Sequence, residues 1–278
     1  MSNQIDFVGI GPARAATTWL YECLKAHPQI IMPRWDKKTH FFDLYYERGL
    51  GWYENQYSPP DPGQVRGEIT ETYIFYPEVA ARIRRHYPEA KIFACLRDPV
   101  ERSFSAYLHL RRDGEITVPF EEALGKYGKA LVDDNFYYDE LVAYFDLFPP
   151  EQLMMSVFEE DLKPDPRAFL NRLYGFLGVD DQFLPDRWDQ VVNQSVNPRF
   201  PLLNKAMLLA HFALRKLDVY KYLTPLKELK AVQKLRFKDG GPDPAEFPAQ
   251  TRARLRETFA PQVDKLSRLL GRDLSCWR

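Results

Sequence analysis

Cysteine is scarce in this chain of 278 residues: only Cys23, Cys95 and Cys276 occur, and no CxxC pair is present. The sequence therefore predicts neither a disulfide framework nor a cysteine-based zinc site. Reduced thiols in a reducing compartment, the cytoplasm, are the simpler expectation. Histidine, cysteine and aspartate do not cluster along the chain either, so we expect no bound metal.

The sequence also lacks an excess of basic residues and any long hydrophobic run. Its 38 lysines and arginines stand against 39 acidic residues, for a formal net charge of −1. This balance disfavours a dedicated nucleic-acid binder but allows one local cationic pocket. No uncharged apolar run approaches the ~18 residues of a membrane span. The first residues, MSNQIDFVGIG, have neither the basic region nor the long apolar stretch of a signal peptide.

Short apolar segments alternate with helical patterns through most of the chain. This alternation predicts an α/β fold with a central parallel sheet, right-handed crossovers and flanking helices. The predicted strands are Ile5 to Ile10, Gly67 to Thr70, Lys91 to Leu96 and Leu153 to Phe158. The predicted helices run from about Ala16 to His27, and over Val100 to Arg112, Pro119 to Tyr127, Tyr138 to Phe148 and Asp165 to Leu177.

The residue composition changes after Asn197. A helix-rich, basic stretch from Pro201 to Phe237 predicts an amphipathic helix packed on the sheet domain, or a helix that faces an acceptor or a membrane. The last helix, Ala249 to Leu270, should end at Gly271. We predict a single domain over residues 1–278, in which residues 198–245 form at most a helical lid or subdomain.

The turn after the first strand has the features of an anion site. The N-terminus of a helix presents free N–H groups and the positive end of the helix dipole. Arg14 adds a positive charge, Ala15 and Ala16 allow close approach to the backbone, and Thr17 and Thr18 offer hydroxyl donors. The ATP-binding pattern GxxxxGK[ST] is absent, which disfavours an ATPase or a kinase.

A second candidate anion site lies in LRDPVERSFSAY, from Leu96 to Tyr107. Arg97 stands at the carboxyl end of a predicted strand, and Pro99 is placed to open a helix. Arg102 and Ser105 are predicted to share the polar face of that helix. Ligands of open α/β sheets bind beyond the carboxyl ends of strands, so Arg97 and Ser105 are predicted to converge on one phosphate.

These two segments resemble the sulfotransferase family that uses 3′-phosphoadenosine 5′-phosphosulfate (PAPS). RAATTWL is similar to the family's 5′-phosphosulfate loop, and LRDPVERSFSAY to its 3′-phosphate motif. Between them, HFFD, GLGWYENQY and GEITETYIFYP occur in an order similar to that of the heparan-sulfate-type and bacterial carbohydrate branch. The resemblance covers residues 5–165 well and continues weakly to the end. It implies a P-loop-like three-layer domain with a helical C-terminal part.

The resemblance also assigns roles to individual residues. Arg14, Thr17 and Thr18 would hold the 5′-phosphosulfate, and Arg97 and Ser105 the 3′-phosphate that separates PAPS from ATP. Other predicted donor contacts are Ala15, Ala16 and Trp19 of the loop motif, and Arg199 from its place in the family order. The family usually has lysine at the position of Arg14, whose guanidinium stays charged and binds bidentately.

The sequence departs most from the family at the position of the general base. Where Lys38 stands, the heparan-sulfate-type branch often carries a glutamate that acts as the base, and a protonated lysine has no such capacity. The alternatives are His40, Glu71 and Glu68, in that order, because an acceptor hydroxyl needs a general base. Arg14 would stabilise the charge on the leaving phosphate, assisted by Lys38 or Lys37 at the transferring sulfuryl group.

The sequence therefore predicts an enzyme that transfers a sulfuryl group from PAPS to a hydroxyl or amine. PAPS is then a co-substrate and adenosine 3′,5′-bisphosphate (PAP) the product. The acceptor would be a carbohydrate, lipid or small metabolite, and the oligomeric state is left open. A P-loop kinase and a non-catalytic nucleotide-binding module are the alternatives, the second because of Lys38.

Overall fold

The computed structural model describes residues 4–186, 188–189 and 246–278. Its strands are β1 (Phe7–Gly11), β2 (Ile30–Ile31), β3 (Val65–Ile69), β4 (Lys91–Leu96) and β5 (Leu153–Val157). Its longer helices are α1 (Thr17–Ala26), α2 (Leu50–Glu54), α3 (Pro77–His86), α4 (Pro99–Arg112), α5 (Phe120–Lys126), α6 (Gly128–Leu131), α7 (Tyr137–Leu147), α8 (Pro166–Leu177) and α9 (Ala249–Leu270).

The five strands form one parallel sheet in the order β2-β3-β1-β4-β5. β1 is central: Phe7 pairs with Gly67 of β3 on one side and with Lys91 of β4 on the other. The chain passes from β1 to one side of the sheet and returns to the other side through β4. Such a reversal leaves a crevice at the carboxyl ends of the strands, and ligands of α/β sheets bind there.

The main hydrophobic core joins the sheet to α1 and α8. Phe7, Ile69 and Phe93 of the sheet pack with Trp19, Leu20 and Leu24 of α1, and with Phe169, Leu173 and Tyr174 of α8. β1, β3 and β4 are buried along almost their whole length, as in a parallel sheet covered on both faces, and helical spacing along α1 and α8 turns their apolar residues toward the sheet. Packing at Gly67 is so close that an added Cβ would collide with the carbonyl and ring of Phe7.

The chain divides into two compact units. The first consists of Met1–Pro99, Phe136–Val192 and Arg256–Arg278, and it holds the whole sheet. The second consists of Val100–Asn135 and Asn193–Leu255. In the described part of the second unit, Phe104, Phe120 and Phe247 form a ring cluster with centroids 4.4–5.3 Å apart. The single-domain arrangement and the lid over residues 198–245 stay predictions, since residues 190–245 lie outside the described residues.

The predicted α/β class and parallel sheet are confirmed. The four predicted strands and the helices α1, α4, α5, α7, α8 and α9 occur within two residues of their expected bounds. β5 ends at Val157, one residue before the predicted Phe158: the Asp161 carboxylate accepts a hydrogen bond from the Val157 amide at 2.6 Å, and the chain turns into a π-helix over Phe158–Leu162. In the described part of the chain, no helix combines the length and apolarity needed to cross a membrane.

Candidate active site

The loop between β1 and α1 has a backbone suited to an anion. Gly11 has a φ of 112°, and Arg14 and Ala16 adopt left-handed conformations with φ of 72° and 61°. α1 then begins at Thr17, with no side-chain cap from the described residues and no acidic residue in its first turn. Its N-terminal amides and the positive end of its dipole therefore favour a negative group here.

The predicted donor contacts of this loop fall into two groups. Arg14, Ala16 and Thr18 are partly exposed, whereas Ala15 and Thr17 are buried, so that these two offer mainly backbone groups. Trp19 belongs to the core instead: its ring packs near Phe169, and its indole N–H donates to the carbonyl of Trp188 at 2.7 Å. The predicted contact of Trp19 with the donor stays a prediction, and it would have to use backbone groups.

A second segment, residues 37–43, reaches the first turn of α1. The Lys37 ammonium donates to the Thr18 hydroxyl at 2.8 Å and lies 6.0 Å from the centre of the Tyr21 ring. Burial lowers the pKa of Lys37 to about 8, although the nearby Glu71 carboxylate opposes that effect. A positive charge that titrates near neutrality thus stands beside the helix terminus.

Glu71 lies against the loop from the other side. A Cβ at Gly11 would collide with the Glu71 carbonyl, so the backbones of the two residues are in direct contact. The Glu71 carboxylate forms an ion pair with Lys38. Burial acts to raise the pKa of Glu71, but the charges of Lys38 and Lys37 outweigh it and lower the pKa to about 2. Glu71 is therefore ionised in this arrangement.

His40 lies in a polar group next to this ion pair. Its Nδ1 is 3.0 Å from the Asp43 carboxylate, and Asp43 also accepts a hydrogen bond from Thr72 at 2.6 Å. Burial acts to raise the pKa of Asp43, but the hydrogen bond and charge of His40 keep it below its usual value. An ionised Asp43 orients the His40 ring with a proton on Nδ1. This arrangement suits either a base at Nε2 or a structural histidine.

Glu68 has a very different environment. Its side chain is fully buried. One carboxylate oxygen accepts from Thr39 and Thr70, each at 2.6 Å, and the other accepts from Tyr53 at 2.7 Å and Tyr73 at 3.0 Å. Burial raises the pKa of Glu68 against the effect of these hydrogen bonds. With all its surface covered, Glu68 is the least accessible of the three candidate bases.

Arg97 leaves the carboxyl end of β4 and contacts the same loop. Its guanidinium donates to the carbonyl of Arg14 at 3.0 Å and lies 5.3 Å from the centre of the Phe158 ring. The Tyr137 hydroxyl donates to the Arg97 carbonyl at 3.0 Å. The Nε of Arg97 is buried and has no hydrogen-bond partner among the described residues. A cation with an unused donor therefore stands beside the predicted anion loop.

The second unit contains Arg102 and Ser105, both on α4. Ser105 is partly exposed, as predicted for a polar face. The prediction that Arg102 shares this face is wrong: its side chain is buried and donates to the Asp134 carbonyl at 3.0 Å and to the Asn135 side chain at 2.9 Å. Arg102 thus fixes the chain after α6 to α4. Arg199 lies outside the described residues.

The structure adds residues that the sequence did not single out. Asp43 pairs with His40, and Thr39, Tyr53 and Tyr73 surround Glu68. Asp43 follows His40 by three residues, which is a weak signal, whereas the partners of Glu68 come from separate segments. In the described ranges, no group of three or more histidine, cysteine or acidic side chains could hold a metal ion.

Comparison with protein families gives a match to a model described as "Sulfotransferase family", over residues 69–183. Human heparan sulfate glucosamine 3-O-sulfotransferase 3B1 is 32% identical over 178 residues, which are 61% of this chain and 45% of that protein. The mouse protein of the same name is 31% identical over 205 residues, 71% of this chain and 51% of that protein. The chain spans about half the length of these curated relatives.

Solved structures give a likeness over nearly the whole chain. A sulfotransferase from Alicyclobacillus acidocaldarius is 27% identical, with a TM-score of 0.73 and coverage of 99% of both chains. Mouse sulfotransferase SULT7A1 in complex with PAP has a TM-score of 0.56 at 15% identity, over 98% of this chain and 88% of that chain. At that identity the second comparison supports the fold alone.

Proposed function

Because this chain belongs to the PAPS-dependent sulfotransferase family, we propose that it transfers a sulfuryl group from PAPS to a hydroxyl or amine of an acceptor. The observation that carries this proposal is the loop from β1 to α1. Lys37 bonds to Thr18 in the first turn of α1, and Arg97 bonds to the Arg14 carbonyl in the loop. With Arg14 itself, three cationic residues are grouped around one helix terminus.

We assign the 5′-phosphosulfate to this loop. The backbone from Arg14 to Thr17 and the hydroxyl of Thr18 would bind its oxygens, and the guanidinium of Arg14 would supply charge. Arg97, with its unused buried Nε, is the proposed ligand of the 3′-phosphate. The motif's assignment of Ser105 to that phosphate, and of Arg199 to the nucleotide, stay predictions from the sequence.

Sulfuryl transfer needs charge stabilisation more than covalent participation of the protein. The acceptor oxygen attacks sulfur while the bond from sulfur to the bridging phosphate oxygen breaks, and negative charge builds on that oxygen. Arg14 and Lys37 would stabilise this charge, because preorganised cations in a partly buried site need little rearrangement during the reaction. His40 or Glu71 would accept the acceptor's proton. No step of this scheme calls for a metal.

The acceptor is proposed from the relatives. Several curated relatives are named heparan sulfate glucosamine 3-O-sulfotransferases, so a glucosamine-containing saccharide is the first acceptor to test. Lipids and small metabolites with hydroxyl groups follow it in the panel. We keep the cytoplasm as the proposed compartment, because Cys23, Cys95 and Cys276 are all free thiols and a reducing compartment keeps thiols unpaired.

Calorimetry with PAP and with ATP, followed by transfer from radiolabelled PAPS to the acceptor panel, tests the proposal. We expect PAP to bind at least about tenfold more tightly than ATP, since only PAP carries a 3′-phosphate. Arg97→Ala should remove most of this preference, whereas Arg85→Ala, on the exposed side of α3, should keep it. A preference for ATP would indicate a kinase, and tight PAP binding without any transfer a non-catalytic module.

A further inference from the structure

The ion pair between Lys38 and Glu71 occupies an unusual position. Lys37, the preceding residue, is fixed to the first turn of α1 through Thr18, and the Glu71 backbone is in contact with Gly11 at the start of the same loop. The Lys38–Glu71 pair therefore lies between two points of contact with the proposed phosphosulfate loop. An ordinary surface ion pair has no such placement.

Only one of the two oxygens of the Glu71 carboxylate has a partner in this arrangement. The residue is 9% exposed, and one carboxylate oxygen meets Lys38. The other oxygen, Oε2, is buried and has no hydrogen-bond partner among the described residues. A buried carboxylate oxygen without a donor is costly, and in a native protein it commonly marks a place where a ligand group or water binds.

We propose that Lys38 is shared between Glu71 and the sulfuryl group of the donor, so that donor binding releases Glu71 to act as the general base. This inference rests on the proposed function, because it needs PAPS at the loop. The Lys38 side chain is 33% exposed, which leaves it room to turn from the carboxylate toward an anion that arrives from solvent. The charged groups around Glu71 are Lys37 and Lys38 on the facing segment, and the polar group of His40 and Asp43 is linked through the neighbouring Thr72.

The step balances without any further reactant. The acceptor O–H gives its proton to Glu71, its oxygen forms the new bond to sulfur, and the bond from sulfur to the phosphate oxygen breaks. The electron pair of that bond stays on PAP, where Arg14 and Lys37 stabilise it. Glu71 returns the proton to solvent after the products leave, and Lys38 pairs with it again.

The electrostatics of the pair agree with this order of events. While Lys38 and Lys37 face it, Glu71 has a pKa of about 2 and is a weak base. Burial acts in the opposite direction, so movement of Lys38 to the donor would raise the pKa of Glu71. A base becomes more effective as its pKa approaches the working pH. The carboxylate would therefore become reactive only when the donor is present.

Two substitutions separate this arrangement from a purely structural ion pair. Glu71→Gln removes the competitor for Lys38, so we expect PAPS to bind at least about threefold more tightly while turnover falls by about 100-fold. Lys38→Met should weaken PAPS binding by about tenfold. Both variants should bind PAP, which lacks the sulfuryl group, within about twofold of the wild type. Calorimetry with PAPS and PAP gives the affinities, and radiolabelled PAPS gives turnover on the panel acceptor that the wild type uses fastest.

A matched control is Lys129→Met, which breaks the Lys129–Asp134 ion pair of 2.9 Å in the second unit and should change neither affinity nor turnover. Turnover of Glu71→Gln within about threefold of wild type, or weaker PAPS binding by it, overturns the inference. A loss of about 100-fold in His40→Asn but not in Glu71→Gln also overturns it, since His40 is then the base. If the wild type itself binds PAP no better than ATP and transfers no label, the proposed function has failed instead.

Discussion

Two carboxylates in the segment GEITET, Glu68 and Glu71, stand three residues apart in opposite environments. Glu68 is enclosed by four hydroxyl donors, and burial raises its pKa. Glu71 faces two lysines that lower its pKa to about 2. Glu68 is held by neutral hydrogen bonds within the first unit, and Glu71 by the charges of Lys37 and Lys38 beside a ligand loop. We infer that the first builds the site and the second takes part in its chemistry.

Thr39 connects the two environments. Its hydroxyl donates to Glu68, while the residues on either side of it, Lys38 and His40, contact Glu71 and Asp43. Glu68 thereby fixes the backbone that carries both candidate catalytic side chains. It is a positioning residue, because Thr39 links it to the segment of Lys38 and His40, and Thr70 links it to the residue before Glu71.

The largest effect should come from removing Glu68. Glu68→Ala leaves the hydroxyls of Thr39, Tyr53, Thr70 and Tyr73 without their acceptor in a buried space, and should lower the free energy of unfolding by about 3–5 kcal/mol. Glu71→Ala should cost less, about 1–3 kcal/mol, because Lys38 can turn to solvent and only the buried Lys37 loses an opposite charge. Urea denaturation of both variants measures the difference. Equal losses would show that the two carboxylates have the same structural role.

A smaller effect is expected from removing one hydroxyl donor of Glu68 at a time, which tests whether Glu68 anchors the segment that carries the lysines. Thr39 and Thr70 each donate to the same oxygen of Glu68 at 2.6 Å, but only Thr39 lies on the segment with the lysines. Thr39→Val and Thr70→Val should each lower the free energy of unfolding by about 1–2 kcal/mol. Only Thr39→Val should also weaken PAPS binding severalfold, because only this substitution frees the backbone that carries Lys37 and Lys38.

Calorimetry with PAPS on these two valine variants, at a temperature where both are folded, provides the measurement. The two variants share the substitution and the buried acceptor, while Thr39→Val also removes a contact with the Tyr73 hydroxyl at 3.0 Å and a bond from the Phe41 amide at 3.2 Å. Comparing affinity at matched stability therefore isolates the effect on the lysines. An equal loss of affinity in the two variants would contradict the assignment of Thr39 as the link between Glu68 and the lysines.

The fold was largely accessible from the sequence because its signals are local. Apolar strands, Pro99 at the start of α4 and Gly271 after α9 each act within a few residues. β2 was missed because a strand of two residues has no periodicity to recognise. Arg102 was misplaced because its partner Asn135 is distant in the sequence, and spacing along a helix does not reveal such partners.

The candidate site also contains residues that local signals predict and residues that depend on distant partners. The anion loop and Arg97 follow from strand ends and residue types, which the sequence displays directly. The different environments of Glu68 and Glu71 depend on Thr39, Tyr53 and Lys38, which a long loop brings back to the end of β3. Alternation along a strand predicts which way a side chain points but not which distant groups it meets. The choice among His40, Glu71 and Glu68 as base therefore needed the structure.

The smallest expected effect concerns Lys37, on the same segment. Its pKa of about 8 lies below the usual value of 10.5, so the ammonium is charged below pH 8 and loses its charge above it. PAP affinity should therefore fall by about fivefold as the pH rises from 7 to 9.5, because a charge-assisted contact to the 5′-phosphate weakens. Between pH 8 and 10.5 the unfolded chain binds more protons at this residue, so its contribution to the free energy of unfolding rises with pH. Affinity and stability thus change in opposite directions, which a general alkaline loss of structure would not produce.

The control variant is Lys37→Arg, in which the charge persists. Its PAP affinity, measured by calorimetry, should stay constant from pH 7 to 9.5. A decline parallel to that of the wild type would assign the titration to another group.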